Sequence, residues 1–154
     1  MSSDEDDLIV WDLKTGAILL KIDDESSSTV EFISDKNYLT GSVFLNKFNL
    51  NNETNDDKYF FSQEKGMING FVRKIAVSSD GKFAAIGDNS NVVHIVKVLT
   101  GKKHTDLKGH SSDKIKALHF DHDGTLLATA GHGPIKLWDT KTFKEVRSLR
   151  GHSD

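Results

Sequence analysis

Apolar and polar residues in this chain switch over short runs, and turn residues bound almost every run. Leu8 to Leu13 and Ala17 to Ile22 are apolar stretches separated by Lys14-Thr15-Gly16. Val72 to Val77 and Ile115 to Phe120 mix apolar and polar positions, and each is followed by an Asp-Gly pair, Asp80-Gly81 and Asp123-Gly124. Such a pair between β-rich runs predicts a hairpin. Phe83 to Ile86 and Leu126 to Ala130 are small and apolar throughout, as in strands covered on both faces. Val92 to Val98 and Ile135 to Thr140 come next. Lys102 to Leu107 and Lys144 to Leu149 are richer in charge, as suits edge strands. No segment carries a convincing 3.6-residue period, so the chain reads as all-β.

The runs repeat. Gly109-His110 returns as Gly151-His152, and Asp80-Gly81 as Asp123-Gly124, at intervals near 42 residues. Trp11-Asp12-Leu13, Phe48-Asn49-Leu50, Val96-Lys97-Val98 and Trp138-Asp139-Thr140 occupy one slot, 37, 48 and 42 residues apart. The longest interval holds the polar insertion Asn51 to Asp57, expected to form a loop. Lys14-Thr15-Gly16 and Leu99-Thr100-Gly101 are matching turns. A fixed period of this size implies an array of small units that bury their faces by stacking. Function in such arrays usually resides in surface binding.

These residues resemble the WD-repeat β-propeller family. The match runs from Gly109-His110 through Ile115 to Phe120, Asp123-Gly124, Leu126 to Thr129 and Ile135 to Asp139, and closes at Gly151-His152. The resemblance implies blades of four antiparallel strands. It also implies a hydrogen-bonded tetrad of His, Ser or Thr, Asp and Trp, in which His110, Thr129 and Trp138 fill three places. The Asp slot falls in Gly131-His132-Gly133, one residue short, so the tetrad is expected to be incomplete. In the preceding repeat Ile86 and Val96 stand where the hydroxyl residue and Trp would be, and that blade is expected to rely on apolar packing alone. A narrower resemblance, carried by Ile95 to Val98, Phe60-Phe61 and Leu107 to His110, is to the amino-terminal propeller of the replisome adaptor family, the acidic nucleoplasmic DNA-binding proteins.

The pattern divides the chain into a half blade at 1–22, blades at about 23–64, 65–108 and 109–150, and the start of a further repeat at 151–154. Fourteen strands make three and a half blades, so the sequence reads as an incomplete propeller, a piece of a larger ring. Repeat units depend on their neighbours, and self-association could complete the ring.

The remaining composition narrows the chemistry. The net charge of −3 gives no global pull toward nucleic acid. With no cysteine there is neither a disulfide framework nor a thiolate metal site. No apolar run approaches the roughly 20 residues of a membrane-spanning helix. Seven histidines raise a metal site, but His119 and His122 do not share a strand face, and none is assigned. No nucleophile, base and orienting group share a motif, so no catalytic residue and no cofactor is expected. The acidic runs Asp4 to Asp7 and Asp23 to Glu25 read as solvated turns, and Lys102, Lys103 and Lys144 as charged edge positions.

Taken together, the sequence predicts a non-catalytic scaffold that binds peptides or protein surfaces through its loops. The expected contacts are Arg73, Lys74, Asn89, Ser112, Asp113, Lys114 and His132. The alternative is a chromatin- or DNA-associated replication adaptor. An intracellular location is expected, nuclear if the narrower resemblance holds and otherwise cytoplasmic.

Overall fold

In the computed structural model, residues 7–23, 29–34, 37–41, 45–49, 68, 71–110 and 114–151 are described. The polar insertion, Phe60-Phe61, Ser112, Asp113 and His152 lie outside them. Among the described residues, thirteen strands form four antiparallel sheets. The first is the hairpin β1 (Asp7–Trp11) and β2 (Ile18–Asp23). The second is β3 (Thr29–Ser34), β4 (Asn37–Gly41) and β5 (Leu45–Asn49). The third is β6 (Lys74–Val77), β7 (Phe83–Gly87), β8 (Val93–Lys97) and β9 (Lys103–Leu107). The fourth is β10 (Ala117–Phe120), β11 (Leu126–Ala130), β12 (Ile135–Asp139) and β13 (Glu145–Leu149). Strands neighbouring in sequence neighbour in space, so each sheet is a meander.

The Asp-Gly signals do end the innermost hairpins. Gly81 and Gly124 both take φ +68°, a conformation open to glycine. Their amides donate to the carbonyls of Ser78 and Asp121, at 2.8 and 3.1 Å. The hairpin carboxylate differs between the two. Asp80 accepts from Lys82 N (3.0 Å), whereas in the next repeat Asp121 accepts from Leu126 N (3.0 Å) and Thr125 Oγ1 (2.7 Å). Asp123 is exposed in that turn.

Alternation along the strands builds two cores, one on each face of the third sheet. Ile75, Ala84, Ile86, Val96 and Val98 pack with Leu39 and Val72 on one side. Ala76, Ala85, Val93 and Ile95 pack with Ile115, Leu118, Phe120, Leu127, Trp138 and Phe143 on the other. This explains why β7 and β8 lack an exposed face: successive residues enter different cores. Burying each Ile or Leu contributes about 1.5–3 kcal/mol. The double cover expected for Leu126 to Ala130 is found on one face only, since Leu127 and Thr129 are buried while Leu126, Ala128 and Ala130 are half-buried.

Neighbouring sheets register through a notch. Gly87, the last residue of β7, faces Ile115, the buried residue that leads into β10. A Cβ on Gly87 would lie 2.8 Å from the Ile115 Cβ. Gly41, the last residue of β4, meets Val72 in the same way. Only hydrogen at these positions lets the following sheet approach.

Phe143 departs from the repeat's turn chemistry. Its slot is Gly16 in Lys14-Thr15-Gly16 and Gly101 in Leu99-Thr100-Gly101, with φ +71° and +67°. Phe143 keeps the left-handed backbone, at φ +53°, against the roughly 1–2 kcal/mol that a Cβ costs there. Its ring is buried against Phe83 (5.2 Å, edge-on) and His104 (5.3 Å), which offsets the strain.

Candidate functional site

The three tetrad residues read from the sequence come together. Trp138 Nε1 donates to Thr129 Oγ1 at 2.8 Å, and His110 Nε2 lies 2.8 Å from the same oxygen. All three residues are buried. The hydroxyl oxygen accepts a hydrogen bond from the indole N–H, and its own proton is available to the lone pair of a neutral His110 imidazole at Nε2, the tautomer with its ring proton on Nδ1. Burial, followed by the charge of Lys136, holds the His110 pKa below its usual value and agrees with this tautomer. Nδ1 is buried without a hydrogen-bond partner. Gly131 lies beside it: a Cβ there would stand 3.5 Å from Nδ1. The shortened Gly131-His132-Gly133 turn thus brings no carboxylate to the imidazole. Gly109 takes φ +148°, matched by Gly151 at +150°.

The third sheet corrects the expectation that its blade holds by apolar packing alone. Ile86 and Val96 are fully buried, but a buried ionic group lies beside them. His94 on β8 faces Asp106 on β9 through the strand register. His94 Nδ1 is 2.8 Å from Asp106 Oδ1, and Nε2 is 3.2 Å from Asp88 Oδ2. Asp88 is fully buried and also accepts from Ser90 N at 2.8 Å, while Lys103 Nζ pairs with Asp106 at 2.9 Å. With a carboxylate at each ring nitrogen, the imidazolium is the form that donates to both. Burial lowers the His94 pKa, but hydrogen bonds to Asp88 and Asp106, with their charges, outweigh it and leave a net upward shift. Position-by-position matching overlooked these residues because His94 and Asp106 occupy no tetrad slot, although Asp88 aligns with Gly131 in the slot of the tetrad Asp. His94 corresponds to Lys136 in the next repeat. That lysine is also buried, and pairs with Glu145 at 2.6 Å.

Trp11 and Asp12 separate in role. Asp12 Oδ1 accepts from Lys14 N (2.7 Å) and Thr15 N (2.9 Å), and Asp139 Oδ1 accepts from Thr142 N (2.7 Å) and Oγ1 (2.8 Å). Each aspartate closes the turn between third and fourth strands, and these bonds lower both pKa values. Trp11 is half exposed, unlike the buried Trp138.

Of the loop residues proposed for contacts, the described ones, Arg73, Lys74, Asn89, Lys114 and His132, lie at one end of the sheets. Arg73 N donates to Gly87 O and Lys116 N to Ala130 O, so the starts of β6 and β10 sit beside the ends of β7 and β11. Arg73 Nε donates to Asn89 Oδ1 at 2.8 Å, and its guanidinium lies 5.7 Å from the Phe71 ring centroid. Lys74 and Lys114 are exposed, and His132 is half-buried in the β11–β12 turn. Asn91 Nδ2, in the β7–β8 loop, donates to His110 O at 2.9 Å and ties that loop to the next sheet. Phe71 and Lys116 were not singled out from the sequence. A depression of about 280 Å³ lies nearby, lined by Gly133, Pro134, Arg150 and Gly151. Among the described residues, no group of three or more His, Asp or Glu side chains is arranged to hold a metal ion, and no helix is long and apolar enough to cross a membrane.

Two four-stranded antiparallel meanders stacked face to face, one of them tied by a Trp–Thr–His chain, are β-propeller blades of the WD type. The chain has this fold and resembles the WD-repeat β-propeller family. Residues 101–139 match the family model "WD domain, G-beta repeat". WD repeat-containing protein SL1-17 of Schistosoma mansoni is 30% identical over 148 residues, covering 94% of this chain and 48% of the relative. Small ribosomal subunit protein RACK1z of Arabidopsis thaliana is 35% identical over 81 residues, covering 53% of this chain and 24% of the relative. Among solved structures, that of U3-55K superposes with a TM-score of 0.72 at 23% identity, covering 84% of this chain and 40% of that one. The chain therefore spans about half, or less, of the length of these proteins, and the structural likeness speaks to fold alone.

Proposed function

We propose that this chain is a non-catalytic protein-interaction module that presents the loop end of its blades to a peptide or protein surface. WD repeats generally serve as protein–protein interaction scaffolds, and the repeats seen here supply the same kind of platform. The observation that carries the reading is the Arg73–Asn89 pair. Two residues 16 apart in sequence meet on an exposed edge, where they form a fixed polar contact outside both cores. Arg73, Lys74, Asn89, Lys114 and His132 are the contact residues on this reading, with Ser112 and Asp113 in the same inter-strand segment. An intracellular location belongs to the same proposal, and one relative is named as a small ribosomal subunit protein.

A photo-crosslinking amino acid at position 89, installed in the protein in its own cells, tests this. Crosslinks to defined proteins from position 89, and none from position 144 at the opposite end, are expected. Equal yields from both positions would reject the loop end as the contact surface.

A further inference from the structure

The charge on the loop end narrows the kind of partner, an inference that rests on the interaction reading above. Arg73 and Lys116 occupy the same slot in successive blades, each one residue after a buried aliphatic, Val72 or Ile115. Both are exposed. Lys74 and Lys114 flank them and are exposed as well. Among the described residues, the carboxylates in this region are Asp88, fully buried against His94 and Ser90, and Asp106, paired with His94 and Lys103. The opposite end differs: its hairpin turns expose Asp80 and Asp123, and Asp80 pairs with Lys82 at 2.9 Å. In a protein of net charge −3, this edge thus gathers four exposed cations, Arg73, Lys74, Lys114 and Lys116, with no exposed carboxylate among its described residues.

The Arg73 side chain is also held in place. Asn89 accepts from Nε, which leaves the terminal guanidinium nitrogens to meet a carboxylate. Fixing the side chain beforehand lowers the entropy cost of that contact. Phe71, 46% exposed, sits against the guanidinium and offers apolar surface beside the charge. From this arrangement we infer that the edge built by Phe71, Arg73, Asn89, Lys114 and Lys116 docks an acidic peptide segment, whose carboxylates meet Arg73 and Lys116 while an apolar side chain covers Phe71. Nucleic acid fits less well. Stacked bases require a row of aromatic rings along the groove, and Phe71 is the aromatic residue that the described part of this edge supplies.

Fluorescence anisotropy with the full chain tests the proposal. The probes are a labelled peptide of Asp and Glu around one Leu, the same peptide with Lys at each acidic position, and a single-stranded uridine oligonucleotide. The acidic peptide should bind, weaken with added salt, and lose about tenfold or more in affinity on Arg73→Glu with Lys116→Glu. Arg73→Gln with Lys116→Gln should lose part of it, and Lys144→Glu none, with circular dichroism unchanged in each. Equal binding of both peptides, or indifference to the paired substitutions, would overturn the proposal. Preference for the oligonucleotide would replace it with nucleic-acid binding. Should position 89 still crosslink to proteins while the acidic peptide fails to bind, the interaction module stands and its acidic partner is rejected.

Discussion

Trp138 shows how one residue joins sequence motif and stability. Its ring fills the core between the third and fourth sheets, and its N–H is satisfied by Thr129. Trp138→Ala would leave a cavity and return Thr129 to a single partner. A loss of about 3–5 kcal/mol is expected, read from urea unfolding. A loss under about 1 kcal/mol would mean that the ring is not a core residue. The incompleteness of the tetrad was legible in the spacing of Gly131-His132-Gly133. Its consequence, an unpartnered His110 Nδ1, was not, because it depends on how closely the turn packs.

At the scale of an element, blades three and four solve one problem with different chemistry. Each ties together segments of its own sheet through buried polar side chains. The fourth sheet uses a neutral Trp–Thr–His chain, the third a buried Asp88–His94–Asp106 group. The strands and hairpins were legible because alternation, Asp-Gly turns and the repeat itself agree. The ionic group was not. His94 reads as one polar residue in an apolar run, and only the register places Asp106 opposite it. The two ties respond differently to pH. The folded-state pKa of His94 is raised above its ordinary 6.5, so its contribution to stability is fully present below that value. It is lost as pH rises through the folded value. Asp106 runs the other way. Burial raises its pKa, but Lys103 and His94 outweigh this and bring it below 3.8, so its contribution fades as pH falls through the depressed value. Unfolding of the parent and His94→Gln across neutral to alkaline pH should show their stabilities converging as pH rises. A gap that stays constant would show that His94 does not titrate between two carboxylates.

At the scale of the molecule, the second, third and fourth sheets form one platform because each seats in the next. The two cores lie between the second and third sheets and between the third and fourth, so these sheets share their buried apolar residues. The Gly87–Ile115 notch sets how closely the third and fourth sheets approach, and Asn91 clasps the loop above it to His110. Residue-level hydrogen exchange on the parent and on Gly87→Ala tests this most directly. Amides of β7, β8, β11 and β12 should open with a common free energy in the parent. In Gly87→Ala both sheets should lose protection together, since the new Cβ pushes against Ile115. Loss of protection confined to β7 and β8, with β11 and β12 unchanged, would show that the sheets fold independently and would contradict the account.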